Sequence, residues 1–77
     1  MSENNIRIYP NPANEYFKIN QRSTNIMVHD LLGKLVQTHK GEFSSGYHFD
    51  ISSLESGFYL ISVFTEKGKI TRKILKH

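Results

Sequence analysis

The sequence predicts an all-β sandwich of about seven short antiparallel strands with one short helical turn, and three observations carry that reading. Segments of alternating or continuous apolar character recur along the chain, separated by Gly, Pro, Asn and Ser signals at the spacing of a sandwich. Asp30-Leu31-Leu32-Gly33 joins two of these segments with turn chemistry that agrees with their hydrophobic pattern. Phe58-Tyr59-Leu60-Ile61-Ser62-Val63-Phe64 is apolar on both faces, as expected of a strand inside a sheet and under other layers.

Length and composition bound the rest. Seventy-seven residues make one domain, assigned to 6–77, with residues 1–5 reading as the end of a linker or an expression start. A chain of this size buries only about 60% of its unfolded surface, and the absence of cysteine leaves its core without a disulfide. An apolar content of 38% is that of a folded domain rather than a disordered tail. No run of about 18 apolar residues is long enough for a membrane helix, and residues 1–15 lack the basic start and apolar core of a signal peptide.

In chain order, Ile6-Arg7-Ile8-Tyr9 alternates and is stopped by Pro10-Asn11-Pro12-Ala13. Each proline removes a ladder donor and holds the residue before it extended. Glu15 to Asn20 is a second strand with Phe17 and Ile19 on its core face. Thr24 to Lys40 is a hairpin closed by a type I turn at Asp30 and a left-handed Gly33. Counting outward, His29 faces Leu35, Val28 faces Val36 and Ile26 faces Thr38. Gly41 and Ser44-Ser45-Gly46 are breakers before a short strand at Tyr47 to Ile51. Ser52 to Gly57 reads as the helical turn, capped by Asp50 or Ser52, with Leu54 inward and Gly57 closing it. The central strand and the turn at Gly68 then lead to Lys69–Lys76. Two registers of this last hairpin stay open: Val63 with Thr71 and Ile61 with Lys73, or Ile61 with Ile74. The hydrophobic pattern favours Ile70 and Ile74 inward.

The net charge of +3 is concentrated at the end, where Lys67, Lys69, Arg72, Lys73 and Lys76 face only Glu66. A basic strand can meet nucleic acid, acidic lipid or an acidic partner, and edge lysines also protect a sheet from edge-to-edge pairing. No nucleic-acid-binding motif accompanies the charge. His29, His39, His48 and His77 are the metal candidates, but His29 and His39 fall about 13 Å apart along their ladder, from a rise of about 3.3 Å per residue. Neither a carboxylate pair, a calcium loop nor a nucleophile motif is legible. The reading is therefore of no catalytic residue, no metal and no cofactor. Tyr16, Tyr47 and Phe58 are the aromatic side chains expected to face outward. Together on one face they would suit an immunoglobulin-like binding module for a glycan or a neighbouring domain.

Four pieces in order carry a resemblance: Tyr9-Pro10-Asn11-Pro12-Ala13, Asp30-Leu31-Leu32-Gly33-Lys34-Leu35-Val36, Asp50 through Val63, and the Gly68 turn with Lys73-Ile74-Leu75-Lys76. From Ile6 to the terminus the chain resembles the type A C-terminal sorting domain of cargo proteins of the type IX (Por) secretion system. The resemblance implies an immunoglobulin-like sandwich that directs an upstream cargo across the outer membrane. It further implies export by way of the periplasm, recognition by the outer-membrane machinery, and removal by its sortase with the cargo left on the surface or released. Tyr9, Pro10, Asn11, Pro12, Asp30, Gly33, Leu54, Gly57, Tyr59, Val63 and Lys73 match the family's motif positions. Partner contact is expected at Lys69, Arg72, Lys73 and Lys76, and edge strands offer a mode of dimerisation.

Overall fold

Alternation, turn chemistry and two-sided apolarity resolve into two antiparallel sheets. The computed structural model describes residues 6–66 and 68–77, so the reading of residues 1–5 as a linker, and Lys67, lie outside the described residues. One sheet holds β1 (Ile8–Tyr9), β2 (Tyr16–Ile19) and β5 (Phe49–Asp50) in the order β1-β2-β5. The other holds β3 (Ser23–Asp30), β4 (Leu35–Phe43), β6 (Gly57–Thr65) and β7 (Gly68–Lys76) in the order β4-β3-β6-β7. The architecture is an immunoglobulin-like sandwich.

The core lies between the sheets, where period-two alternation sends every second side chain. Ile8, Phe17, Ile19 and Phe49 come from the smaller sheet, and Ile26, Val28, Tyr59, Ile61, Val63 and Ile74 from the larger. Ile6, Ala13 and Ile51 complete it from the connections, with Val36, Phe43, Leu54 and Ile70 packed partly against it. Phe17 stacks on Phe49 at 5.0 Å, and Phe43 and Tyr47 meet the edges of the same ring at 4.9 Å each. These rings hold β5, only two residues long, against the rest of the core.

The β3–β4 hairpin closes as its turn chemistry dictates. Asp30 N–H donates to the carbonyl of Lys34 at 2.9 Å, Gly33 takes a φ of 89°, and Asp30 Oδ1 accepts from the N–H of Leu32 and of Lys34. His29 pairs with Leu35 as expected, but a bulge inserts Val36, so that Val28 faces Gln37 and Ile26 faces His39. That extra residue exchanges the faces of everything beyond it. Gly41 does not break the strand. It sits inside β4 at a second irregularity, its N–H donating to Oδ1 of Asn25, which holds a φ of 51°.

The expected helical turn takes the form of one reverse turn, with Leu54 N–H donating to the Ile51 carbonyl, and no helix occurs among the described residues. Asp50 Oδ1 accepts from both the N–H and the hydroxyl of Ser52 at 2.8 and 2.7 Å. These bonds hold its carboxyl below the usual carboxylate range. The last hairpin adopts neither expected register. Thr65 pairs with Gly68, placing Val63 opposite Ile70, Ile61 opposite Arg72 and Tyr59 opposite Ile74. Ile70 and Ile74 point inward all the same, Ile74 fully buried.

Candidate functional site

Asn11 and Ala13 meet the last residues of the chain at the side of β7 away from β6. Tyr9 belongs to the smaller sheet, opposite Lys18. The chain then crosses through Pro10 and Pro12, both preceded by cis peptide bonds, to reach the larger sheet. There Ala13 makes a parallel bridge with Lys76. Ala13 N–H donates to the Leu75 carbonyl at 2.7 Å, His77 N–H donates to the Ala13 carbonyl at 2.8 Å, and Leu75 N–H donates to Asn11 Oδ1 at 3.0 Å. Asn11 and Ala13 thus act as a strap on the last three residues. Sequence reasoning made this segment a proline-held extended stop to the first strand but missed its partner, because nothing local signals a contact so distant in sequence.

The outer face of the larger sheet carries the second feature. Phe58, Leu60, Ser62 and Phe64 of β6 alternate with the buried Tyr59, Ile61 and Val63 and so point outward. Opposite them on β7 stand Leu75, Lys73, Thr71 and Lys69, and Met27 and His29 lie opposite Ser62 and Leu60 on β3. Leu35 of β4 continues the row beyond His29. β6 is internal to its sheet, as expected, but no second layer covers this side among the described residues. Phe58 is 46% exposed, with Lys73 Nζ 5.0 Å above its ring. At the end of the β3–β4 hairpin Leu31 is exposed and Leu32 is 94% exposed.

The four cations named from the sequence separate by register. Lys69 and Lys73 are exposed on the outer face, whereas Arg72 shares the inward-facing parity of Ile70 and Ile74 and is half-buried at the edge. Lys76 is buried, with 9% of its surface exposed, and its ammonium reaches the carbonyl of His77 at 3.2 Å. It lines a shallow groove with Pro10, Asn14, Glu15, Tyr16, Ser52 and His77. The motif positions Asp30, Gly33, Leu54, Gly57, Tyr59 and Val63 occupy turns and core. Tyr59 is the most informative of them: its hydroxyl donates to the Glu55 carbonyl at 2.6 Å, bracing the entry to β6. Burial, with Glu55 and Asp30 nearby, raises its ionisation above the ordinary tyrosine value.

The histidines do not assemble, and no group of three or more metal-ligating side chains occurs among the described residues. His29 faces outward, and His48 stacks on Tyr16 at 4.2 Å. His39 is half-buried. The Val36 bulge turns it inward against the edges of Phe43 and Phe49, where desolvation lowers its pKa from 6.5. Nor do the aromatic side chains form one platform. Tyr16 is on the smaller sheet beneath Lys18, Tyr47 packs on Phe43 and Phe49 in the β4–β5 loop, and Phe58 is on the outer face of the larger sheet.

Comparison with protein families matches residues 7–77 to the secretion system C-terminal sorting domain. The chain belongs to that family. It is a sorting signal of type IX secretion, directing cargo across the outer membrane to the surface or the extracellular space, in a role that is not catalytic. No curated protein and no solved structure matches the chain. Of the positions that the sequence resemblance singled out, Asn11 and Lys73 belong to the strap and the outer face, and most of the others set turns and core.

Proposed function

We propose that the type IX machinery reads this sorting domain at its last hairpin, on the outer face where Lys69 and Lys73 flank Phe58, Leu60 and Phe64. The observation that supports this is a strand apolar on both faces whose outer side presents an exposed Phe58 beside half-buried Leu60 and Phe64. Contiguous apolar surface rimmed by charge marks interaction sites on soluble domains. The cations give such a patch a preference for an anionic partner and a faster encounter with it. Arg72 and Lys76, turned inward or buried, contribute through the fold of β7 rather than by direct contact. The domain folds in the periplasm with its cargo upstream and presents this face to the outer-membrane machinery. The sortase of that machinery then separates domain from cargo.

The test fuses the 77-residue chain to the C-terminus of a periplasmic reporter in a host with type IX secretion. The unaltered fusion is expected in the medium or on the cell surface, and a fusion held in the periplasm would refute the reading. Lys69→Glu with Lys73→Glu is expected to abolish export while urea unfolding shifts by about 1 kcal/mol or less, since surface substitutions and exposed cation–π contacts are of that size. Export and stability lost in proportion would assign both lysines to folding.

A further inference from the structure

The strap shows which backbone groups of β7 can take a partner. Leu75 presents both its N–H and its carbonyl to the side away from β6, and His77 presents its N–H there. Alternate residues of a strand turn their backbone groups to the same side. Lys69, Thr71 and Lys73 therefore continue that row upstream, where no strand pairs with it among the described residues. The guanidinium of Arg72 folds back to the Thr71 carbonyl at 3.2 Å, the position of an acceptor outside the ladder.

Building on the last hairpin as the surface that is read, we infer that this row accepts an extended acidic segment of a partner protein. The segment adds as a strand beside β7, upstream of the place where Asn11 and Ala13 already sit. Strand addition draws affinity from main-chain hydrogen bonds and specificity from alternate side chains. Here two of the three positions of the row, Lys69 and Lys73, carry cations on the exposed outer face. A second β7 would bring the same cations together, and like charges across a strand pair are unfavourable. The lysines that protect the edge against its own kind leave it open to the opposite charge. The same argument turns against a dimer formed through β7.

The probe is a capped nine-residue peptide of alternating Glu and Val, titrated into the isotopically labelled 77-residue chain, with alternating Lys and Val as its control. At saturation the amides of Lys69, Thr71 and Lys73 are expected to exchange about tenfold more slowly, as new cross-strand bonds require, while Arg72 and Ile74 stay as they were. The Lys peptide should bind at least about tenfold more weakly, because like-charge juxtaposition suppresses the wrong partner. Thr71→Pro removes one donor of the row and the hydroxyl contact with Ser62, but leaves the main-chain bonds to β6 in place, a position where an edge strand tolerates proline. It should fold and lose the peptide. Four results would each overturn strand addition: no binding, binding without protection of these three amides, equal binding of the Lys peptide, or self-association through β7. The exchange measurement on the unaltered chain stands even if Thr71→Pro fails to fold. Normal export of the reporter by a folded Thr71→Pro fusion, with loss by the lysine reversals, would remove strand addition and keep the outer face as the reading surface. Normal export by the lysine reversals would remove the reading surface itself.

Discussion

Phe49→Ala tests whether the small sheet is held by its ring cluster rather than by its ladder. β5 has two residues and two register pairs with β2, so its hydrogen bonds alone hold it weakly. Phe49 is 1% exposed and its ring meets those of Phe17, Phe43, Tyr47 and His39 at 5.0, 4.9, 4.9 and 5.2 Å. Truncating a buried Phe to Ala costs about 3–5 kcal/mol in lost transfer energy and residual cavity. A domain of this length has a total stability of about 4–12 kcal/mol, at roughly 0.05–0.15 kcal/mol per residue. The variant should therefore lose a large part of its stability, with its unfolding midpoint in urea moved far down or its native baseline gone. Tyr47→Ala removes a ring that is 47% exposed and should cost far less, about 1 kcal/mol. Circular dichroism during urea titration measures both. A Phe49→Ala loss below about 1 kcal/mol, no larger than that of Tyr47→Ala, would mean that the cluster does not hold the sheets together.

Asn11→Ala removes the side-chain acceptor of Leu75 N–H and should cost about 1 kcal/mol. Amide exchange of Leu75 should accelerate while that of Arg72, whose N–H points to β6, stays constant. Tyr59→Phe deletes the hydrogen bond to the Glu55 carbonyl and should lower the urea midpoint by about 1 kcal/mol with the slope unchanged. For pH, His39 is held below its ordinary value of 6.5 by burial, so the unfolded chain binds its proton first. Stability is complete above 6.5 and declines as pH falls through that value toward the folded one. Urea midpoints between pH 8 and pH 5 should show this decline, and His39→Gln should flatten it.

The elements of this fold were legible because their signals are local. The Asp30–Gly33 turn, the seven strands and the inward Phe17, Ile19, Ile70 and Ile74 follow from turn chemistry and alternation. Register was not legible beyond the first pair of the β3–β4 hairpin. The Val36 bulge and the left-handed Asn25 are fixed by how β3 lies between β4 and β6, a constraint that no neighbouring residue states. One inserted residue sufficed to turn His39 inward against the ring cluster, where it is half-buried. The final hairpin failed for a related reason, since both offsets weighed against its Gly68 turn differ from the observed pairing of Thr65 with Gly68. Once that pairing is known, parity alone sorts the cations into outward Lys69 and Lys73 and inward Arg72. The open side of β6 was misread because an apolar stripe looks the same whether another layer or a partner is to cover it.

The prolines of the opening motif explain why the strap is so short. A longer extended segment running beside β7 would saturate the row from Lys69 to Leu75 and close the sheet. Pro10 and Pro12 fix φ and have no N–H to give, which keeps this segment from forming a regular strand paired on both sides. Among the described residues the side chain of Asn11 and the backbone of Ala13 make the bonds to β7, and these reach only its end at Leu75 and the terminal His77. The terminus is thereby pinned, although Asn11 and Leu75 are separated by 64 residues, while the three edge positions before it are left exposed. Lys73, two residues before the Leu75 that the strap grips, shares its outward parity in the β6–β7 ladder. The opening motif and the basic finish are one structural unit, and a change at Asn11 acts on the same strand as a change at Lys73.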